Sequence, residues 1–382
     1  MPPPAKWSRR RRIVTGIIVV LLVLGLLALI GTRISTNDFA ITPGSAQPVA
    51  PLIKVAGTPE PNGSGKILLT DVLLTQLNVT NYLWFRLNGN ADIVPTDELI
   101  PPNVNPSQLN AQGYLEMSQS KEAAKTAALT RLGYHVEAKR DGAVVTQVAN
   151  GAPAASAVSV ADVISGVNGQ ATTSACGVIR AVHDLAPGTK VTLDVQVATI
   201  HPGGAITNAP AKPATVTLGK PQSKVLSSCP GVSGPSKSYL GIGLMTDVHY
   251  TYPIPISIST PNIGGPSAGL AMTLGIIDEL SGGTLVHHRT MAATGTISPN
   301  GAVGDVGGVP QKTVAVANAG ATLFFVPTKA EKVAADEKAP ASLRVTTVTS
   351  LDQALRALFA LGGTIKLANG TVEGKTTSTS GS

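Results

Sequence analysis

Ser267 lies in the stretch Asn262-Ile-Gly-Gly-Pro-Ser-Ala-Gly269, between a strand-like run and an apolar helix-like run. Ahead of it, Ile254-Pro-Ile-Ser-Ile-Ser-Thr260 places isoleucine at every second position, the period of a half-buried strand. Behind it, Leu270 to Leu280 reads as a helix. The turn therefore presents a hydroxyl near a helix N-terminus. Backbone N–H groups there lack intrahelical partners and face any developing negative charge. A nucleophile with a ready oxyanion hole is built this way. The plainer alternative is a tight turn in which Gly and Pro only set the backbone.

Further along, Thr294-Gly-Thr-Ile297 precedes Gly301-Ala-Val-Gly-Asp-Val-Gly-Gly-Val-Pro-Gln-Lys312. In these three ordered motifs the chain resembles the Lon-type serine proteases, over roughly residues 238 to 360. The resemblance implies that Ser267 is the nucleophile and Lys312 the catalytic lysine. It implies that Thr294 positions the lysine, with Gly265, Pro266 and Ala268 framing the serine and its oxyanion hole. There is one departure. Many Lon proteases have an acidic residue just before Gly-Pro-Ser, where Gly264 stands here; this bears on gating rather than on the Ser-Lys pair.

The residues support the same chemistry without the family. A serine hydroxyl is a weak nucleophile and needs a base. A lysine serves only when uncharged, and its reference pKa of about 10.4 forbids that in water. Burial lowers it. Val303, Val306, Val309, Val314 and Val316 flank Lys312, and the nearest acids are Asp305 and those beyond residue 330. The competing reading of Lys312 is a solvated residue at a helix start.

The elements that must hold these groups come from the rest of the chain. Its 382 residues suffice for two or three domains. The net charge of +7 is concentrated at the start, where Lys6, Arg9 to Arg12 and Arg33 occur with no acid. The remainder is close to neutral, which argues against a nucleic-acid surface. Ile13 to Gly31 is uncharged and long enough to span a bilayer. It lacks a convincing small-x-small site for cleavage as a signal peptide. With basic residues 1–12 ahead of it, the positive-inside rule predicts a cytoplasmic N-terminus, a single-pass cell-membrane anchor and an extracytoplasmic bulk.

Residues 32–64 are rich in Pro, Gly, Ser and Thr and are expected to form a linker. Residues 65–132 hold a strand from Lys66 and a helix from Glu116 to Leu132, either leading into the protease part or belonging to it. Residues 133–220 follow the order Ala143–Val148 strand, Asn150-Gly-Ala-Pro-Ala154 turn, Ala161-Asp-Val-Ile-Ser-Gly-Val-Asn-Gly169, helix, Pro187-Gly188 and strand. This order resembles a PDZ domain, a module that binds extended peptides beside a strand and a helix. Leu132-Gly133-Tyr134 then falls at its carboxylate-binding loop. Residues 221–363 alternate strands and helices as the proteolytic domain, and residues 364–382 read as a flexible tail. The fold class is α/β (α+β), with a small β-rich PDZ domain, after one N-terminal transmembrane helix.

Cys176 and Cys229 either pair on the exported side or remain two buried thiols. His249, His287 and His288 form no HExxH or His/Cys cluster, so no metal site and no cofactor are expected. No Walker A pattern occurs. The expected function is an ATP-independent serine endopeptidase acting on peptides or unfolded proteins, with the PDZ module presenting or sensing substrate. The resemblance also implies a homo-oligomer, commonly a hexamer. The alternative is a catalytically inactive, membrane-tethered PDZ adaptor.

Overall fold

The structure, a computed structural model, describes residues 9–57, 65–88, 91–99, 108–201, 204–221 and 229–374. The chain divides into two compact units.

One unit comprises residues up to Gly44 together with Val72–Pro101. Helix α1 (Arg9–Gly31) includes the 19-residue segment Ile13–Gly31, whose mean hydropathy is 3.2 and whose residues 13–30 are exposed. It is long and apolar enough to cross a membrane. Strand β1 (Ser35–Pro48) contributes its first part here, and β2 (Lys66–Asn78) its last. Helix α2 (Val79–Asn88) follows, and β3 (Asp92–Pro95) pairs antiparallel with β1.

The second unit comprises Ser45–Asp71 and everything from Pro102. Helix α3 (Gln108–Arg131) leads into β4 (Glu137–Val148), β5 (Val163–Val167), α4 (Ala175–His183), β6 (Lys190–Gln196), β7 (Lys212–Thr217) and β8 (Ile242–Thr251). These strands form one sheet in the order β7-β6-β5-β4-β8. One face packs on α4 through Ala143, Val145, Ile164, Val178 and Leu193; Val144 and Val163 join Leu115 of α3 in a separate cluster. Ser174 caps α4 by accepting from Gly177 N at 3.2 Å. Cys176 and Cys229 are joined by a disulfide, which ties α4 to the segment ahead of β8.

Beyond β8 come α5 (Gly269–Leu280), β9 (Thr290–Ala293), α6 (Val309–Asn318), β10 (Leu323–Val326), α7 (Lys329–Asp336), β11 (Arg344–Thr347) and α8 (Leu351–Ala360). The first part of β2, β9, β10 and β11 are parallel neighbours. Parallel strands covered by helices read as continuous apolar runs, as Leu323-Phe-Phe-Val326 does, all four buried. Helix α3 and α5 meet in the core under this sheet, where Ala124, Ala128 and Leu129 pack with Leu270, Leu274, Leu355 and Ile67. The strand and helix of residues 65–132 thus share the core of the elements that follow β8.

Three expectations change. Residues 35–57 are not a linker. Val49 and Ile53 are buried, and Val49 N donates to Ile67 O at 2.9 Å. Gly275 of α5 makes room for them, since a Cβ there would lie 2.5 Å from Val49 Cγ2. The Pro/Gly/Ser/Thr composition hid a strand anchored by two apolar residues; residues 58–64 lie outside the described part. The strand around Gly243–Val248, expected in the protease part, pairs with β4 along Ile242–Thr251 and ends the PDZ-like sheet. The tail does not begin at 364: Thr364–Lys366 pairs with Val372–Gly374, and Arg131 of α3 clamps Glu373 at 2.6 Å and Asp352 at 2.8 Å.

Candidate active site

The turn carrying Ser267 is built by close approaches at two glycines. A Cβ on Gly269 would lie 2.8 Å from Ile297 Cγ2 and 2.9 Å from Ile297 N, so the first turn of α5 seats directly on that strand. A Cβ on Gly264 would lie 3.3 Å from the backbone of Gly113 in α3. The acidic residue that many Lon proteases carry at that place would press on the helix here. The turn is tied to α3 twice: Gly265 N donates to Gly113 O at 2.8 Å, and Ser120 Oγ donates to Pro266 O at 3.0 Å.

Ser267 itself is half-buried. Helix α5 starts at Ala268 with no side-chain cap. Gly269 N bonds Pro266 O and Leu270 N bonds Gly295 O, whereas the N–H groups of Ser267 and Ala268 meet no protein acceptor among the described residues. Two donors beside a serine at a helix start form an anion-holding cradle. The expected frame is narrowed accordingly. Pro266 has no N–H and Gly265 has spent its own on Gly113, so neither donates to an oxyanion.

Lys312 enters from the first turn of α6 and is 2 % exposed. Its Nζ donates to Thr294 Oγ1 at 3.3 Å. Thr294 is fully buried, and its Oγ1 donates onward to Ser267 O at 3.3 Å, where Gly295 N also arrives at 2.9 Å. The structure therefore brings Ser267, Thr294 and Lys312 to one place. The amine reaches the serine turn through Thr294 rather than by a direct bond to the Ser267 hydroxyl. In an unliganded site such a bond is often long and tightens only with substrate.

Burial pushes the Lys312 amine down to about 8, against the opposing pull of the Glu331 and Asp71 carboxylates. Both acids are held by other bonds. Glu331 accepts from Val306 N and Thr328 N, each at 2.7 Å, as the far half of the α7 capping box. Asp71 accepts from Ser45 N at 2.7 Å and Ser45 Oγ at 2.8 Å. Neither acid, nor Ser120, was visible as part of the site in the sequence. Only Thr328-x-x-Glu331 carried a signal, as a capping box, and it pointed to a helix start rather than to Lys312.

Leu132-Gly133-Tyr134 is not a carboxylate loop. Leu132 is fully buried in the core with Leu129 and Leu270. Gly133 N donates to Thr130 O and Tyr134 N to Leu129 O, closing the end of α3, and Leu132 O accepts from Ala368 N. Those donors are spent, so no carboxylate can use them. The peptide-sized edge lies elsewhere: β8 ends its sheet, and Thr246 Oγ1 on it accepts from Ala175 N at the start of α4 at 3.3 Å. A terminal strand beside a helix offers the geometry for strand addition.

Residues 243–361 match the family model of the Lon protease (S16) C-terminal proteolytic domain, and residues 130–197 match that of the PDZ domain. The chain carries a Lon-type proteolytic domain and a PDZ domain. The Lon protease of Methylocella silvestris is 43% identical over 84 residues, 22% of this chain and 10% of that protein. The peroxisomal Lon protease homolog 2 of Bos taurus is 33% identical over 134 residues, 34% of this chain and 15% of that protein. The chain thus spans a small part of the curated relatives it matches. The PDZ domain of an SdrC-like protein from Listeria monocytogenes is 20% identical, covering 27% of this chain and 87% of that one with a TM-score of 0.20. The Lon-type match begins inside β8, so this strand is at once the edge of the PDZ sheet and the lead into the proteolytic domain.

Proposed function

We propose that this chain is a membrane-anchored, extracytoplasmic serine endopeptidase that cleaves peptide bonds with Ser267 and Lys312 and without ATP. The observation that carries the reading is the dry Lys312 amine, hydrogen-bonded to a threonine that is itself bonded to the serine turn. In its neutral form the amine donates one N–H to Thr294 and keeps its lone pair. That lone pair takes the proton from Ser267 Oγ as the oxygen attacks the scissile carbonyl. The N–H groups of Ser267 and Ala268 hold the oxyanion. The Lys312 ammonium then returns its proton to the leaving amine. A water, deprotonated by the same amine, releases the acyl group and restores Ser267.

Anchorage rests on α1, and orientation on the arginines ahead of it. A disulfide suits an oxidising compartment. ATP independence rests on the lack of a Walker A pattern in the sequence. Peptides or unfolded proteins are the substrates, presented or sensed by the PDZ domain, and a homo-oligomer, by resemblance a hexamer, is the working form. The test is cleavage of quenched-fluorescence peptides by the full chain in detergent micelles, beside Ser267→Ala. Loss of about 10⁴-fold in kcat/KM is expected. Equal cleavage by both would refute the nucleophile, and no cleavage with retained peptide binding would favour the adaptor.

A further inference from the structure

A cavity of about 730 Å³ lies between α3, the outer strand β8 of the PDZ sheet, and the serine turn. It touches six consecutive residues of β8, Met245 to Tyr250. Successive side chains of a strand point to opposite faces, so a cavity that meets six in a row also meets the backbone edge. A register shift between Asp247 and Val248 bends the strand at that point. The far end of the cavity reaches Pro266, next to Ser267, and Ile297–Pro299, which begins three residues after Thr294. The PDZ edge and the serine turn therefore open into one space.

Its chemistry is two-sided. Leu115, Val144, Val163 and Met245 supply an apolar floor. Glu116, Glu122 and Asp247 line it as well, with His249 and no Lys or Arg. Glu122 is already met by Lys125 at 2.5 Å and by Tyr252 Oη at 2.8 Å, and Asp247 by His249 at 3.0 Å. Glu116 accepts from the neutral Gln112 amide at 3.0 Å, with no cation on it among the described residues.

We propose that this cavity is the outer half of the substrate cleft: it takes an extended segment of the substrate polypeptide along the edge of β8, apolar side chains on the floor, with Glu116 and Asp247 selecting a basic one. The inference rests on the endopeptidase reading and adds the substrate class to it. An unpaired strand edge supplies backbone hydrogen bonds to any extended chain, and flanking side chains supply the choice. Carboxylates in a part-closed cleft attract a cation and repel an anion.

The test uses the full chain in detergent micelles and matched peptides that differ in one residue, Lys, Gln or Glu. The Lys peptide should exceed the Glu peptide by about 10-fold or more in kcat/KM, mostly through KM. Glu116→Gln with Asp247→Asn should shrink the ratio to about 2-fold, and Glu116→Lys alone should invert it. Glu337→Gln, an exposed acid beyond α7, should keep the original ratio. Binding of the same peptides to Ser267→Ala, read by fluorescence anisotropy, separates the two readings. Charge-selective binding without cleavage by the natural chain removes the endopeptidase and leaves the cleft. Cleavage with no charge preference, or a preference that survives the double substitution, overturns the cleft and leaves the endopeptidase.

Discussion

The starts of helices α4 to α8 fall into two kinds. Helices α4, α7 and α8 begin with Ser174, Thr328 and Ser350, each of whose hydroxyls accepts a backbone N–H of the first turn. Helices α5 and α6 begin at Ala268 and Gly308 with no side-chain cap. The uncapped pair carries Ser267 and Lys312. A cap satisfies donors internally and stabilises the helix by about 1 kcal/mol. A start without one leaves donors for something that arrives later, or space for a residue that tolerates no competing polar group. The first kind serves stability, and under the proposed function the second gives up some stability for chemistry.

Substitutions sharpen this contrast. The largest effect is expected from Lys312→Met. Cleavage should fall by about as much as for Ser267→Ala, because the two act as a unit. Stability should rise. The folded amine titrates near 8 and the unfolded one near 10.5. Below about 8 both states are protonated, and the folded state bears the full cost of a buried charge. As pH rises from about 8 to 10.5 the unfolded chain binds more protons, so folding is favoured and the cost fades. The gain from Lys312→Met should therefore be largest near pH 6, up to about 3 kcal/mol, and small near pH 10, as read by thermal melts. A variant no more stable at pH 6 than the natural chain would count against a buried amine.

Thr294→Val removes the link between the amine and the serine turn. A kcat lower by about 10- to 100-fold with little change in KM is expected from losing a buried hydrogen bond at the reacting centre. Thr294→Ser should retain most of the activity. A drop confined to KM would place Thr294 with substrate instead. The smallest effect belongs to the capped kind. Thr328→Ala should cost about 1 kcal/mol in a denaturant melt while leaving kcat/KM within about 3-fold.

Much of this was legible in the sequence because local rules governed it. The resemblance of the Gly-Pro-Ser-Ala-Gly turn and the two segments after it to Lon-type proteases singled out Ser267, Thr294 and Lys312, which the structure brings together. Helix α5 starts within one residue of the Leu270 to Leu280 run that reads as a helix. What failed depended on partners distant in the chain. Residues 35–57 looked like a linker because composition cannot show that Val49 and Ile53 dock on α5 beside Gly275. Strand β8 looked like part of the alternating α/β run, yet its pairing partner is β4, about a hundred residues earlier. Leu132-Gly133-Tyr134 resembled a binding loop because a helix C-terminus and a peptide-binding turn both use a glycine with positive φ. Asp71 reaches the site only through the fold, as one of the acids that pull on Lys312.

The most direct test is the pH dependence of kcat/KM for a peptide whose own groups do not titrate between pH 6 and 10. If the neutral Lys312 amine is the base, the rate should rise with pH to a plateau with its midpoint near 8. Glu331→Gln removes a charge that raises this value, so its midpoint should lie lower. A rate independent of pH across that window, or a midpoint unmoved by Glu331→Gln together with activity surviving in Lys312→Met, would contradict the account.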